Sequence, residues 1–97
     1  MQHIKLSSAS FLNGGHIMIV KLNIFNIDNF FKTVNECRGA INLLHQNMKR
    51  ENLNKQYGIQ DDLLKKHRKN KNFLELSLDI TNLKDYMDIV LFTIGDY

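Results

Sequence analysis

The sequence predicts a single α+β domain in which three helices cover one face of a four-stranded antiparallel sheet. Segments of alternating apolar residues are interleaved with segments of helical period, and the order of these segments is βαββαβα. The chain has 97 residues, 43% of them hydrophobic, which is enough for one modest core. It contains no proline and no internal repeat. We therefore expect one domain over residues 18–97.

Residues 1–17 differ from the rest of the chain. They hold a Ser-Ala-Ser stretch and a Gly-Gly pair, and they show no sustained period. The codons of Gly14 and Gly15 could encode a ribosome-binding sequence in front of Met18. One hypothesis is therefore that the start is misassigned and that Met18 is the native first residue. The alternatives are a disordered leader and a small extra strand.

The first two elements of the domain are a strand and a helix. Residues 18–24 place four large apolar side chains on one face, which is typical of a half-buried strand. From Asp28 to Arg38, apolar residues recur at steps of three and four. Asn26 or Asp28 can cap this helix, and Gly39 is expected to stop it.

A hairpin and a second helix follow. Residues 41–45 alternate again, and a polar turn separates them from a short polar strand at 50–53. Residues 56–69 return to helical spacing. The last turn of this helix is cationic, which favours the negative end of the helix dipole.

The last strand and the last helix complete the expected core. Residues 73–78 alternate, and the final helix is capped by Thr81 or Asp79 and closed by Gly95. One apolar stripe of this helix is expected to face the sheet; it consists of Leu83, Met87, Val90 or Leu91, and Ile94. The predicted core contains Phe31, Val34, Leu43, Leu74, Leu76, Leu78, Met87 and Leu91.

Composition excludes several classes of function. A single cysteine, Cys37, cannot form an internal disulfide, and with four scattered histidines it does not match the spacing of a zinc site. No apolar run is long enough to span a membrane, and the chain does not start like a secretory signal, so we expect a cytoplasmic protein without membrane association. A net charge of +3 permits an acidic partner but is small for a dedicated nucleic-acid binder. We expect no metal and no cofactor.

Two short motifs and the element order resemble a known family. Residues 49–55, Lys-Arg-Glu-Asn-Leu-Asn-Lys, resemble the Asn-Leu-Lys-Ser stretch of HPr, the histidine-containing phosphocarrier of the bacterial sugar phosphotransferase system. Residues 30–39 resemble the Phe-Phe-x-x-Val-x-x-Cys-x-Gly helix of small bacterial HPr-like proteins, some of which carry a poly(A) polymerase label. The resemblance covers residues 18–95 and implies an HPr-like βαββαβα open-faced sandwich.

The resemblance does not extend to phosphate chemistry. HPr has a histidine followed by arginine and proline at the start of its first helix, whereas residues 24–29 here contain none of the three. Asp28 would repel a phosphoryl group, and the position of the regulatory serine falls on Lys55. A poly(A) polymerase needs clustered carboxylates on a nucleotide-binding domain larger than this chain. We therefore expect that this chain is not an enzyme and has no catalytic residue.

Several residue types have both a structural and a functional interpretation. His45 or His67 could be an unorthodox phosphoryl acceptor, or a surface or boundary histidine. Cys37 could be a nucleophile, or a small core residue on an apolar stripe. The pair Asp61-Asp62 could bind a metal, or lie on a solvated helix face. In each case we favour the structural interpretation.

The strongest local charge feature is the basic run of residues 65–71. It could bind phosphate or an RNA backbone, together with the end of the hairpin if the two are neighbours. No aromatic residue is interleaved to stack on bases, so we favour a solvated helix end and do not expect nucleic-acid binding. The candidate residues for anion or partner binding are Lys49, Arg50, Lys55, Lys65, Lys66, Arg68 and Lys69.

The leading hypothesis is a non-catalytic HPr-like domain that acts as a protein-interaction or regulatory module, connected with the sugar phosphotransferase system through the resemblance. It leaves open the identity of the protein partner and the oligomeric state. The alternatives are a phosphocarrier with an unorthodox histidine and a binder of RNA or acidic surfaces that uses residues 65–71.

Overall fold

The fold contains one sheet and three helices. A computed structural model describes residues 8–11 and 18–95. The α+β class, the antiparallel sheet and the three helices expected from the sequence are confirmed. In chain order the elements are β1 Ser8–Phe11, β2 Met18–Ile24, α1 Ile27–Glu36, β3 Ile41–Leu44, β4 Arg50–Asn52, α2 Tyr57–Lys69, β5 Leu74–Ile80 and α3 Leu83–Ile94.

The strands form one antiparallel sheet in the order β1-β2-β5-β3-β4. The four strands expected from the sequence are all present, and β5 lies between β2 and β3. A further strand, β1, pairs with the other edge of β2. Residues 1–7 and 12–17 lie outside the described residues, so the hypotheses of a misassigned start and of a disordered leader stay predictions.

The core lies between one face of the sheet and the helices. The register places Val20 opposite Leu78, and Ile80 opposite both Met18 and Ile41, so the apolar side chains of three strands share a face. All three helices contribute to the same core, because Phe30 of α1, Leu63 of α2 and Ile89 of α3 are buried within it. Burying this shared apolar surface is the main driving force that holds the two layers together.

The expected core is only partly correct. Val34, Leu43, Leu76 and Leu78 are buried, and Phe31 and Leu74 are half-buried. Met87 and Leu91 are 47% and 59% exposed, so their assignment to the core is wrong. The strand faces were therefore predicted correctly, whereas the face of α3 was not.

Helix α1 begins at the expected cap but ends earlier than expected. Asn26 caps its start, and its Oδ1 accepts a hydrogen bond from the Asn29 amide. The helix ends at Glu36 instead of Arg38 because Cys37 adopts an extended backbone with ψ of 156°. Gly39 is therefore not the residue that stops the helix.

The cap of α3 also differs from both expected residues. Asn82 is the N-cap, and its Oδ1 accepts from the Asp85 amide at 3.0 Å. Thr81 precedes the cap, and Asp79 is a buried residue of β5 that forms an ion pair with Arg50. Gly95 is the C-cap, as expected.

None of the helices in the described part of the chain is both long and apolar enough to cross a membrane.

Candidate protein-interaction surface

The orientation of α3 is fixed by a buried carboxylate in its first turn. Asp85 is 1% exposed, and its two oxygens accept hydrogen bonds from the amides of Arg38 and Gly39 at 3.0 and 2.7 Å. These amides lie immediately beyond the C-terminal end of α1, where the chain has left the helix. Because a buried carboxylate is costly without such partners, Asp85 has to face α1.

This orientation turns an apolar stripe of α3 outward. At 3.6 residues per turn, Leu83, Met87 and Ile94 point roughly 160–180° away from Asp85. The inward side of the helix is made by Tyr86 and Ile89. The outward residues, which we call the α3 stripe, are Leu83, Met87, Leu91 and Ile94, and their exposed fractions are 60%, 47%, 59% and 62%.

The α3 stripe is a continuous apolar surface. Its members follow one another at steps of four, four and three residues, so their side chains are neighbours along the helix. Four side chains of this size, each about half exposed, present roughly 400 Å² of apolar surface, which is in the range of patches that are often functional on a monomer. Single exposed apolar residues need no explanation, but a contiguous stripe indicates an interaction surface.

The charges beside the stripe balance one another. Lys84 and Asp88 lie one turn apart on α3, and Lys84 Nζ is 2.9 Å from Asp88 Oδ2. The third charged residue of the helix, Asp85, is buried against α1. The surface around the stripe is therefore polar at one flank but carries no net charge from α3.

The cations of α2 point in several directions. Lys66 and Arg68 are two positions apart and therefore point about 160° apart around the helix. Lys66 lines a depression of about 480 Å³ that is also lined by Lys21 of β2 and by His45, which follows β3. Arg68 lines a separate depression of about 410 Å³ at the start of α1. Lys65 lies 3.3 Å from Asp61 on the outer face, and Lys69 is exposed in the last turn.

The cations near the hairpin are also separated from one another. Arg50 forms its ion pair with the buried Asp79 on the face of the sheet opposite to the core. Lys49 lines a shallow depression together with His45 and Glu51. Lys55 is exposed between β4 and α2, and its amide donates to Asn35 Oδ1 at 2.8 Å. The seven candidate cations are thus distributed over several sides of the domain.

The two histidines have different environments. His67 is 5% exposed, and its Nε2 lies 2.8 Å from the carbonyl oxygen of Phe25, so this nitrogen donates and α2 is tied to the end of β2. His45 is half-buried at the end of β3, with Nε2 3.1 Å from Glu51 Oε1. A carboxylate next to His45 would repel a phosphoryl group.

Cys37 is a buried thiol at the end of α1. It is 3% exposed, and Sγ donates to the Thr33 carbonyl oxygen at 3.3 Å. Burial, followed by the negative charges of Asp85 and Asp88, raises the pKa of the Cys37 thiol from 9.0 to about 12. A thiol with such a pKa is protonated at neutral pH, and a protonated thiol is a poor nucleophile.

The adjacent pair Asp61-Asp62 is exposed on α2, and Asp61 is engaged by Lys65. Over residues 8–11 and 18–95, the structure holds no group of three or more His, Cys, Asp or Glu side chains that could bind a metal ion.

Compared with known proteins, the chain matches no family model, no curated protein and no solved structure.

The sequence reveals the members of the α3 stripe but not their exposure. The helix is apolar on two sides, because Tyr86 and Ile89 offer a second face that can equally well be buried. The available signal was Asp85 in the first turn after the N-cap Asn82, because a carboxylate that faces the core needs hydrogen-bond donors from a neighbouring segment. Periodicity alone cannot choose between two apolar faces.

Proposed function

We propose that this chain is a non-catalytic HPr-like domain that acts as a protein-interaction or regulatory module through the α3 stripe. The single observation that carries the proposal is the exposure of Leu83, Met87, Leu91 and Ile94 in one continuous apolar surface. Exposing such a surface to water is unfavourable, and contact with an apolar surface of another protein removes that cost. A cytoplasmic location and a connection with sugar phosphotransfer remain parts of this proposal, the second through the resemblance alone.

The environments of the histidines favour this function over a phosphocarrier. An acceptor imidazole has to be exposed and next to groups that stabilise negative charge. His67 is buried and hydrogen-bonded to a backbone carbonyl, and His45 has a carboxylate beside it. At the start of α1, where HPr carries its histidine, this chain has Asn26 and Asp28.

The distribution of cations favours a protein-interaction module over a binder of RNA or acidic surfaces. Such binding is strongest where several cations lie on one side and contact several phosphates together. Here Lys66 and Arg68 point apart, and Arg50 and Lys65 are engaged by carboxylates.

A comparative capture experiment tests the proposed function. Wild-type protein, Met87→Glu and Met48→Glu are immobilised and exposed to lysate of the native organism, and the bound proteins are identified by mass spectrometry. Met48 is a matched control because it is a methionine that is 64% exposed and lies in the turn between β3 and β4, outside α3. We expect wild type and Met48→Glu to retain the same proteins and Met87→Glu to lose them.

Two outcomes of this experiment would contradict the proposed function. Retention of the same proteins by all three baits would mean that the α3 stripe is not used. With a fourth bait that combines Lys66→Glu and Arg68→Glu, loss of the captured proteins together with a steep dependence on salt would indicate the electrostatic alternative.

A further inference from the structure

We infer that the α3 stripe binds a second copy of the same chain, with the two α3 helices antiparallel and related by a two-fold axis. This inference rests on the proposed function, because it names the partner of the same surface. The spacing of the stripe, its area and its charge each support a second copy as the occupant.

The spacing of the stripe is nearly symmetric. Its positions are 83, 87, 91 and 94, so reversing the direction of the helix gives almost the same spacing. In an antiparallel pair, Leu83 faces Ile94 of the second copy and Met87 faces Leu91 of the second copy. Each apolar side chain therefore meets another apolar side chain, as an isologous contact requires. An unrelated partner places no such constraint on the spacing.

The area is sufficient for a reversible dimer. The helix has 12 residues and is therefore about 18 Å long. Two stripes of roughly 400 Å² bring about 800 Å² of apolar surface into one contact, and the neighbouring parts of the two helices increase this to about 1,000 Å². This total lies at the lower bound of specific interfaces, so we expect a weak dimer that exchanges with monomer.

The charge distribution allows two copies to approach through α3. The chain carries a net charge of +3, which opposes association through its basic surfaces. On α3, Lys84 and Asp88 already neutralise each other, and Asp85 is buried. The basic end of α2 belongs to a different helix, and α1 packs against both α2 and α3. Contact through α3 thus brings together neutral apolar surfaces.

Two complementary substitutions test the pairing. In the antiparallel dimer, Met87 of one copy contacts Leu91 of the other. Met87→Glu alone and Leu91→Arg alone each bury a charge against an apolar residue of the second copy. The dissociation constant of each variant dimer should therefore be at least about 100-fold higher than that of wild type. In a mixture of the two variants, the introduced glutamate meets the introduced arginine at one contact, and the native Leu91 meets the native Met87 at the other.

Sedimentation equilibrium of the full chain measures these states, with Met48→Glu as the matched control and circular dichroism as the check of folding. We expect wild type and Met48→Glu to dimerise, each charged α3 variant alone to be monomeric, and the mixture to form a heterodimer within about tenfold of wild-type affinity. A mixture that stays monomeric would overturn the antiparallel pairing.

Different results would overturn the second-copy inference and the proposed function. If wild type is monomeric up to about 1 mM but Met87→Glu still loses captured proteins, the second copy is excluded and the interaction surface stands. If wild type dimerises and neither α3 substitution alters the dimer, the second copy at the α3 stripe is overturned, since the dimer then uses another surface, and the capture experiment decides the proposed function separately.

Discussion

Asp85 Oδ2 lies 2.7 Å from the backbone nitrogen of Gly39, and this contact joins the first turn of α3 to the chain that leaves α1. The second oxygen of the same carboxylate accepts from the Arg38 amide at 3.0 Å. Because Asp85 faces α1, helical geometry directs Leu83 and Met87 to the opposite side. The exposed stripe is thus a consequence of how the protein satisfies the backbone after α1.

The first prediction concerns this carboxylate. Asp85→Ala leaves two backbone amides without an acceptor, and we expect the free energy of unfolding to fall by roughly 2–4 kcal/mol. The control is Asp88→Ala, which removes only a partly exposed ion pair and should cost less than about 1 kcal/mol. Urea denaturation measures both values. Equal losses in the two variants would mean that Asp85 has no special structural role.

The second prediction compares two leucines that the sequence alone places in the core. Leu76 is 7% exposed and Leu91 is 59% exposed. Leu76→Ala should lower the free energy of unfolding by roughly 2–5 kcal/mol, because it removes buried methyl groups and leaves a cavity. Leu91→Ala should change it by less than about 0.5 kcal/mol in dilute solution. A large loss in the free energy of unfolding for Leu91→Ala would mean that the α3 stripe is part of the core.

The third prediction follows from the raised pKa of Cys37. Between pH 9.0 and about 12, the unfolded chain releases the thiol proton while the folded chain retains it, so stability present below pH 9.0 is lost as pH rises. From about pH 8 to about pH 10, wild type should lose about 1 kcal/mol more stability than Cys37→Ala. Identical pH profiles of the two proteins would show that the thiol titrates alike in both states.

The fourth prediction concerns the hairpin turn. Met48 has φ of 67°, a left-handed conformation that is unfavourable for a residue with a side chain. Met48→Gly should raise the free energy of unfolding by about 0.5–1 kcal/mol, because the relief of this strain exceeds the entropy cost of glycine. Gln46→Gly, in the same turn but without left-handed backbone, should lower it. Thermal denaturation of the two variants measures the difference.

The strands could be predicted from the sequence because alternation fixes both their positions and their faces. Val20, Leu76 and Leu78 are buried as the pattern indicates, since a strand has only two faces and one is polar. The buried face of α3 could not be predicted, because either of its apolar sides can cover a sheet. The choice depends on the hydrogen bond between Asp85 and Gly39, which are 46 residues apart in sequence. The cations of residues 65–71 are adjacent in the chain and could be expected to act together. Helical geometry nevertheless points Lys66 and Arg68 in different directions.

The most direct measurement is the rate of methionine oxidation by peroxide at different protein concentrations, read by mass spectrometry for three methionines. Met18 is 4% exposed, Met48 is 64% exposed and Met87 is 47% exposed. At about 1 µM protein, Met87 should react nearly as fast as Met48, and Met18 at least about tenfold more slowly. At about 1 mM, Met87 alone should become protected, because a second copy covers the α3 stripe. Protection of Met87 equal to that of Met18 at every concentration would contradict the account, since the stripe would then be part of the core.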